Sequence, residues 1–461
     1  MPRPTVHRVA AAALGWQLLA AALLFGGVYF WTAAALAGTV AMLFVAVRPR
    51  ISPHGSSRVL DLSLVAVVGG VLVQILPLPI PVVRALSPAR DAFAGAVSLE
   101  RASAASLPLS VDTAATVHAW LSLLCIVATF WIARAIFAAG GIRTFTRIIA
   151  AGAIALAIIA FAQQASGTTL VYGFWHPRDV GARPLGPFIN RNHFGTWSLM
   201  AICLCVGYLQ WRTEGANPAG AWRARLAAWL DARRLVLQLA VILLAAAVAL
   251  GSSRSSLVAL GCAAGYVALA APAGLRRRAS LGALAALCVV AMLGYGDGQQ
   301  LLRRMDETRT TGMANRLAIW RDTMPMIRDF PAAGVGAGAF SSAMRVYQTS
   351  PRTYYHNEAH SQYLQLAAEG GLLLTVPALT ALIAFLLTAW TALGRHHDPL
   401  RWMRIAAAGA LVGVAVQSIW ETGLTLPANG MFAAALAALL VHRSPSTAGS
   451  HTRADEHRES K

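Results

Sequence analysis

The stretch Tyr354-Tyr-His-Asn-Glu-Ala-His-Ser-Gln-Tyr-Leu-Gln-Leu-Ala-Ala-Glu-Gly-Gly371 concentrates residues that can handle a proton. His356 and His360 are four apart, which puts both imidazoles on one face of a helix. Zinc ligands use that spacing, but Glu358 lies two residues from each His and so on the opposite face, unlike the Glu of HExxH. No metal site or other cofactor is expected. A neutral imidazole is suited to taking a proton from a hydroxyl, with Glu358 or another acid orienting the ring.

Two other stretches could hold an anion. Arg183-Pro-Leu-Gly-Pro-Phe-Ile-Asn-Arg-Asn-His-Phe-Gly195 turns at Gly186-Pro187 and gathers Asn190, Arg191, Asn192 and His193 where a helix starts. One reading is an interfacial cap, with Asn192 as N-cap and Arg191 snorkelling to headgroups. A helix N-terminus rich in N–H donors also attracts phosphate, so the two readings are compatible. In Gly251-Ser-Ser-Arg-Ser-Ser256, Arg254 separates two apolar blocks with no room for a loop. A guanidinium at the edge of hydrocarbon costs on the order of 2 to 3 kcal/mol unless it has a partner or water. The partner is either Glu421 or an anionic ligand.

The elements that position these residues are membrane helices. The chain has 461 residues, 57% hydrophobic and 12% charged, with a mean hydropathy of +0.57. A soluble core cannot hide that excess, and it arrives in long unbroken blocks. About 20 apolar residues span the hydrocarbon layer. That ruler gives twelve candidates: Val9 to Phe30, Thr32 to Val47, Leu60 to Ile80, Ala114 to Phe137, Arg147 to Ala165, His193 to Trp211, Leu235 to Gly251, Ser255 to Pro272, Ser280 to Tyr295, Leu372 to Leu393, Ile405 to Gly423 and Pro427 to Val441. The junction at Trp31 reads as a turn or a kink. Arg3 and Arg8 precede an apolar run too long for a signal peptide, so the first span is expected to be uncleaved. The fold class is all-α, a polytopic helix bundle forming one membrane domain over residues 1–442, with a disordered cytoplasmic tail at 443–461.

The net charge of +19 would suit a nucleic-acid binder, but its placement argues otherwise. All the basic residues except Lys461 are Arg, and most fall on one side if both termini are cytoplasmic. The surplus is a topology signal, and no nucleic-acid partner is expected. Cys125, Cys203, Cys205, Cys262 and Cys288 lie inside apolar blocks, so they read as small lipid-facing or packing residues.

Two segments on the opposite side, Pro81 to Thr113 and Gly296 to Gly371, are too long for turns. In the second, which is partly helical, Leu317, Trp320, Met324 and Ile327 form one face of an amphipathic helix ended by Pro331. Arg316 sits one position from that face and reads, on spacing alone, as a solvated charge. Gly334-Val-Gly-Ala-Gly338 lacks the Lys-Ser/Thr ending of a phosphate loop and is expected to be a backbone turn.

The sequence resembles the superfamily of O-antigen ligases and polymerases, bacterial inner-membrane glycosyltransferases. The resemblance rests on Ser253-Arg254 at a helix end, Arg316 four residues before Trp320, and His360-Ser361 followed by Gly371; it covers about Ala160 to Leu393. Counting from His356 would end on Ala367, so the register favours His360. Leu374 departs from the ligase pattern, which prefers Gly, Thr or Tyr there.

The resemblance implies transfer of a glycan from undecaprenyl diphosphate to a periplasmic acceptor hydroxyl, in lipopolysaccharide or exopolysaccharide assembly. It makes Arg254 and Arg316 the diphosphate-stabilising residues and His360 the base. Arg191, Asn192, Glu358 and His356 are expected to bind substrate. The acceptor would be lipid A-core for a ligase, another lipid-linked glycan for a polymerase, or a protein side chain for an O-glycosyltransferase. Membrane lipids are the remaining partners. The alternative of another class is a transporter or lipid flippase, but such proteins place ionisable residues and broken helices near the bilayer midplane.

Overall fold

The computed structural model describes residues 4–51, 56–90, 93, 105–178, 181–213, 232–251, 253–271, 312–349, 355–395 and 398–442. The predicted span Ser280–Tyr295, the start of the long loop and the tail 443–461 lie outside the described residues.

Among the described residues the chain is all-helical apart from a two-stranded antiparallel pair. Its helices are α1 (Pro4–Leu23), α2 (Phe30–Val47), α3 (Ser56–Ile75), α4 (Ile80–Leu86), α5 (Thr113–Ala138), α6 (Ile142–Ser166), α7 (Arg191–Thr213), α8 (Ala232–Leu250), α9 (Arg254–Ala270), α10 (Gly312–Asp329), α11 (Phe340–Tyr347), α12 (Gln362–Leu393), α13 (Arg401–Gln417) and α14 (Pro427–Val441). Every predicted apolar segment among the described residues coincides with one of them. Among the described residues six helices are long and apolar enough to cross a membrane: α2, α3, α5, α6, α7 and α12; α8, α9 and α14 are apolar but shorter. The junction expected at Trp31 is a turn that falls earlier, between Leu23 and Phe30, and Trp31 is already inside α2. α1 stops at Leu23, a 3-10 turn follows at Phe25–Gly27, and α2 starts at Phe30.

The centre of the bundle is built by α7, α9, α13 and α14, with α5 against α14 and α3 along α12. Small residues set the spacing: a Cβ on Gly195 of α7 would lie 2.0 Å from Ser256 Oγ on α9. One end of the bundle is tied by ion pairs. Asp61 on α3, fully buried, accepts from Trp131 Nε1 at 2.9 Å and from Arg134 Nη2 at 2.8 Å. Arg404 pairs with Asp398 at 2.7 Å and donates to the carbonyls of Leu440 and His442, capping the C-terminus of α14.

The other end carries the polar loops. α12 breaks at Gly371, whose φ of 51° and ψ of −154° are open only to glycine. The loop after α10 docks into the break: Leu372 N–H donates to Pro331 O at 2.8 Å, and Gly336 N–H to Glu369 O at 3.1 Å. Buried Gln74, at the end of α3, completes the junction by donating to Ala333 O at 2.6 Å and Glu369 O at 2.8 Å, and by accepting from Ala337 N–H at 3.0 Å. Gly334–Gly338 is therefore a backbone turn, as its composition implied, with residues 334–336 buried.

Candidate functional site

α7, α9 and α12 all begin at this end, and α13 finishes there. Asn190, and not Asn192, caps α7: its Oδ1 accepts from Asn192 N–H at 2.9 Å. That frees the Asn192 side chain for work between helices. Its Oδ1 accepts from Ser253 Oγ at 2.7 Å, and its Nδ2 donates to Glu421 Oε1 at 2.8 Å. Ser253 is the N-cap of α9 and accepts from Ser256 N–H at 3.3 Å, so Arg254 is the first residue of that helix. A further turn into the bundle, Gln417 of α13 donates to Asn192 O at 3.2 Å and Ser256 Oγ at 3.1 Å, and accepts from Thr196 Oγ1 at 3.0 Å. This network fixes the relative depth of α7, α9 and α13.

Arg316 joins the network from the long loop. Its Nη2 lies 2.8 Å from Glu421 Oε1, with the Arg side chain 27% exposed and the Glu side chain 2%. The spacing-based reading of Arg316 as a solvated charge does not hold: the guanidinium turns inward to a buried carboxylate. The apolar face predicted for this helix is also rotated. Leu317 is 51% and Met324 37% exposed, while Ile319, Asp322, Thr323 and Met326 are buried, as is Phe330 just past its end. Pro331 follows the end of α10 as expected.

The segment 355–361 is not helical, so His356 and His360 do not share a helix face; α12 starts only at Gln362. His360 holds a left-handed φ of 47°, an uncommon conformation for a residue with a Cβ. It is held from both sides: Trp320 Nε1 donates to Ala359 O at 3.0 Å, and Ala359 N–H donates to Gln365 Oε1 at 2.7 Å. Gln362 N–H donates to Ser418 O at 2.9 Å, which ties the loop to the end of α13. Without a helix, Glu358 is not opposite His360; its Oε1 is 3.7 Å from His360 Nδ1. His356 N–H donates to Gln348 Oε1 at 3.3 Å.

Burial pushes the His360 pKa below its ordinary value; the Glu421 carboxylate opposes that shift and the Arg316 guanidinium reinforces it. The imidazole is thus neutral at neutral pH and free to accept a proton. His356 is lowered too, by burial and then by His360, with Asp322 opposing. Glu421 is raised by burial, and Arg316 is the largest influence holding it down.

The arrangement places cationic, amide and imidazole groups around one carboxylate, in the order of the motifs read from the sequence. Residues 239–379 match the O-antigen ligase family model. The match upholds the resemblance to the O-antigen ligase superfamily and supports a glycosyltransferase-like role in polysaccharide assembly by a membrane protein. It spans less than half of the chain and takes in Arg254, Arg316, His356, Glu358 and His360, while Arg191, Asn192 and Glu421 fall outside it. No curated protein matches the chain.

The structure brings Arg316 and Asn192 onto one oxygen, sets Ser253-Arg254 beside Asn192, and puts His360 under the influence of Arg316 and Glu421. Arg191 opens α7 next to Asn192, its N–H donating to Arg183 O at 3.0 Å. The sequence reading weighed Glu421 only as a partner for Arg254. What could have singled it out further is a carboxylate at the end of an otherwise apolar block, which needs a buried cation.

Proposed function

We propose that this protein is a polytopic enzyme of the bacterial inner membrane, with twelve passes and cytoplasmic termini, that transfers a glycan from undecaprenyl diphosphate to an acceptor hydroxyl at the periplasmic face. The observation that carries the reading is the Arg316–Glu421–Asn192 junction, which joins the long loop to α7 and, through Ser253, to the helix that Arg254 opens.

Arg254 and Arg316, with Arg191 as a third cation, bind the diphosphate and stabilise the charge it gains as it leaves. The acceptor oxygen attacks the anomeric carbon, the bond from that carbon to the diphosphate oxygen breaks with its electron pair, and the hydroxyl proton passes to His360. Glu358 orients the imidazole, and Asn192 and His356 bind substrate. Glu421 holds Arg316 in place. No nucleotide enters, because the sugar–diphosphate bond already stores the driving force.

The acceptor separates a ligase acting on lipid A-core from a polymerase and from a protein O-glycosyltransferase, all with the same donor chemistry. The purified protein, given a polyprenyl-diphosphate-linked glycan and each acceptor in turn, is expected to release polyprenyl diphosphate and form a glycosylated product with one of them. Movement of intact donor across a vesicle bilayer without cleavage would instead support the flippase reading.

A further inference from the structure

Glu369 lies two turns inside α12 and has no part in the reaction described above. It is 8% exposed, and among the described residues the groups that hydrogen-bond to its carboxyl are neutral N–H donors. Its Oε1 accepts from Gln365 Nε2 at 2.6 Å and from the N–H of Phe340, the first residue of α11, at 3.4 Å. A helix N-terminus favours negative charge, so α11 helps to hold this acid without a cation.

Gln365 stands one turn before Glu369, and the two side chains share a face of α12. It is 6% exposed, and the other end of its amide, Oε1, accepts from Ala359 N–H at 2.7 Å. Ala359 immediately precedes His360, whose left-handed φ of 47° sets the direction of the imidazole. Trp320 holds the Ala359 carbonyl, so Gln365 is the second of two points that fix this residue. A side-chain amide can lie either way round, because one end only donates and the other only accepts. A carboxylate at position 369 accepts, which draws the NH2 group toward itself and leaves the carbonyl oxygen for Ala359 N–H. With the amide reversed, two buried donors would face each other at Ala359 and two acceptors at Glu369.

We propose that Glu369 is a positioning residue for His360: by setting the direction of the Gln365 amide it holds Ala359, and with it the left-handed backbone that aims the imidazole at the acceptor hydroxyl. The inference rests on the reading of His360 as the base. Glu369 itself touches neither the substrate nor the proton. The diphosphate is held by arginines on other elements, so loosening Gln365 slows the proton transfer without weakening the donor's binding.

The test measures transfer by purified Glu369→Gln, Gln365→Leu and the exchanged pair, Glu369→Gln with Gln365→Glu. Rates are divided by the number of sites that bind a polyprenyl-diphosphate-linked glycan, so that misfolded protein does not count, and His360→Ala is the reference. Glu369→Gln brings an NH2 group to a place that offers only donors, and Gln365→Leu leaves Ala359 N–H without its acceptor. Each is expected to lower kcat about 10- to 100-fold with KM for the donor unchanged. The exchanged pair again sets a carboxylate against an amide and keeps an acceptor for Ala359 N–H, so it is expected to recover most of the rate. Should Glu369→Gln fail to fold, Gln365→Leu and the exchanged pair carry the same comparison. A wild-type kcat per site in either single variant, a rise in KM in place of a fall in kcat, or an exchanged pair no faster than the single variants overturns the positioning role. If that result comes with an inactive His360→Ala, the base reading stands and only this inference falls. Full activity in His360→Ala overturns both.

Discussion

One oxygen of Glu421, Oε1, receives the Arg316 guanidinium and the Asn192 amide, each at 2.8 Å. The loop helix α10 and the membrane helix α7 are therefore registered by a single carboxylate that is 1% exposed. Such a residue is worth more as a fixed point than as a charge, because a buried carboxylate without its cation is strongly disfavoured.

Glu421→Gln keeps the shape but weakens the hold on Arg316. Transfer is expected to fall by on the order of a hundredfold, the loss typical when one preorganised group at a developing charge is disturbed. Quantifying product from protein that unfolds at the wild-type temperature checks it; unchanged turnover would detach Glu421 from the site.

The pH profile follows from His360. Burial holds its pKa below 6.5, so the neutral, proton-accepting ring persists as pH falls through that value and is lost only lower. The acid limb of kcat/KM should therefore lie below pH 6.5, with activity rising as pH increases through the lowered pKa. Glu421→Gln removes the charge that raises His360, so it should move the limb to still lower pH. A limb that stays in place in this variant would show that another group controls it.

Gly371→Ala is expected to be strongly destabilising. Besides the φ of 51°, the added carbon would lie 2.6 Å from Gly334 N and 2.7 Å from Pro331 O, both backbone atoms that cannot swing aside. Backbone strain alone costs about 1 to 3 kcal/mol. Yield and thermal midpoint in detergent measure the effect, and a midpoint equal to wild type would contradict the geometry.

Gln74→Leu removes three hydrogen bonds at the α12 break and leaves Ala333 O and Ala337 N–H without that partner, while Glu369 O keeps its bond from Gly336 N–H. Each buried orphan costs about 1 to 3 kcal/mol. Hydrogen exchange is expected to rise across 331–338 and 366–373 while α5 and α6 stay protected. Uniform protection would mean that the junction does not depend on Gln74.

How far the sequence could be read depended on the range of the interaction. Apolar blocks of spanning length are local signals, and every such block among the described residues is a helix. Gly371 was visible as the last position of a motif, but only the docked loop explains why it must be glycine. His356 and His360 misled because their spacing matters only in a helix, whereas Trp320 and Gln365 hold that segment open. Arg316 looked solvated because its partner lies at position 421, and a contact that distant in the chain leaves no periodicity to detect. Asn192 was taken for a cap because Asn190, two residues earlier, offers the same chemistry.

The most direct test of the account compares single-turnover transfer from a polyprenyl-diphosphate-linked glycan by wild type and by Arg254→Ala, Arg316→Ala and His360→Ala, each reconstituted in bilayers and shown to be folded. The account predicts that all three retain the donor uncleaved, with losses of about a hundredfold or more. Donor cleavage at the wild-type rate in any of the three would contradict it.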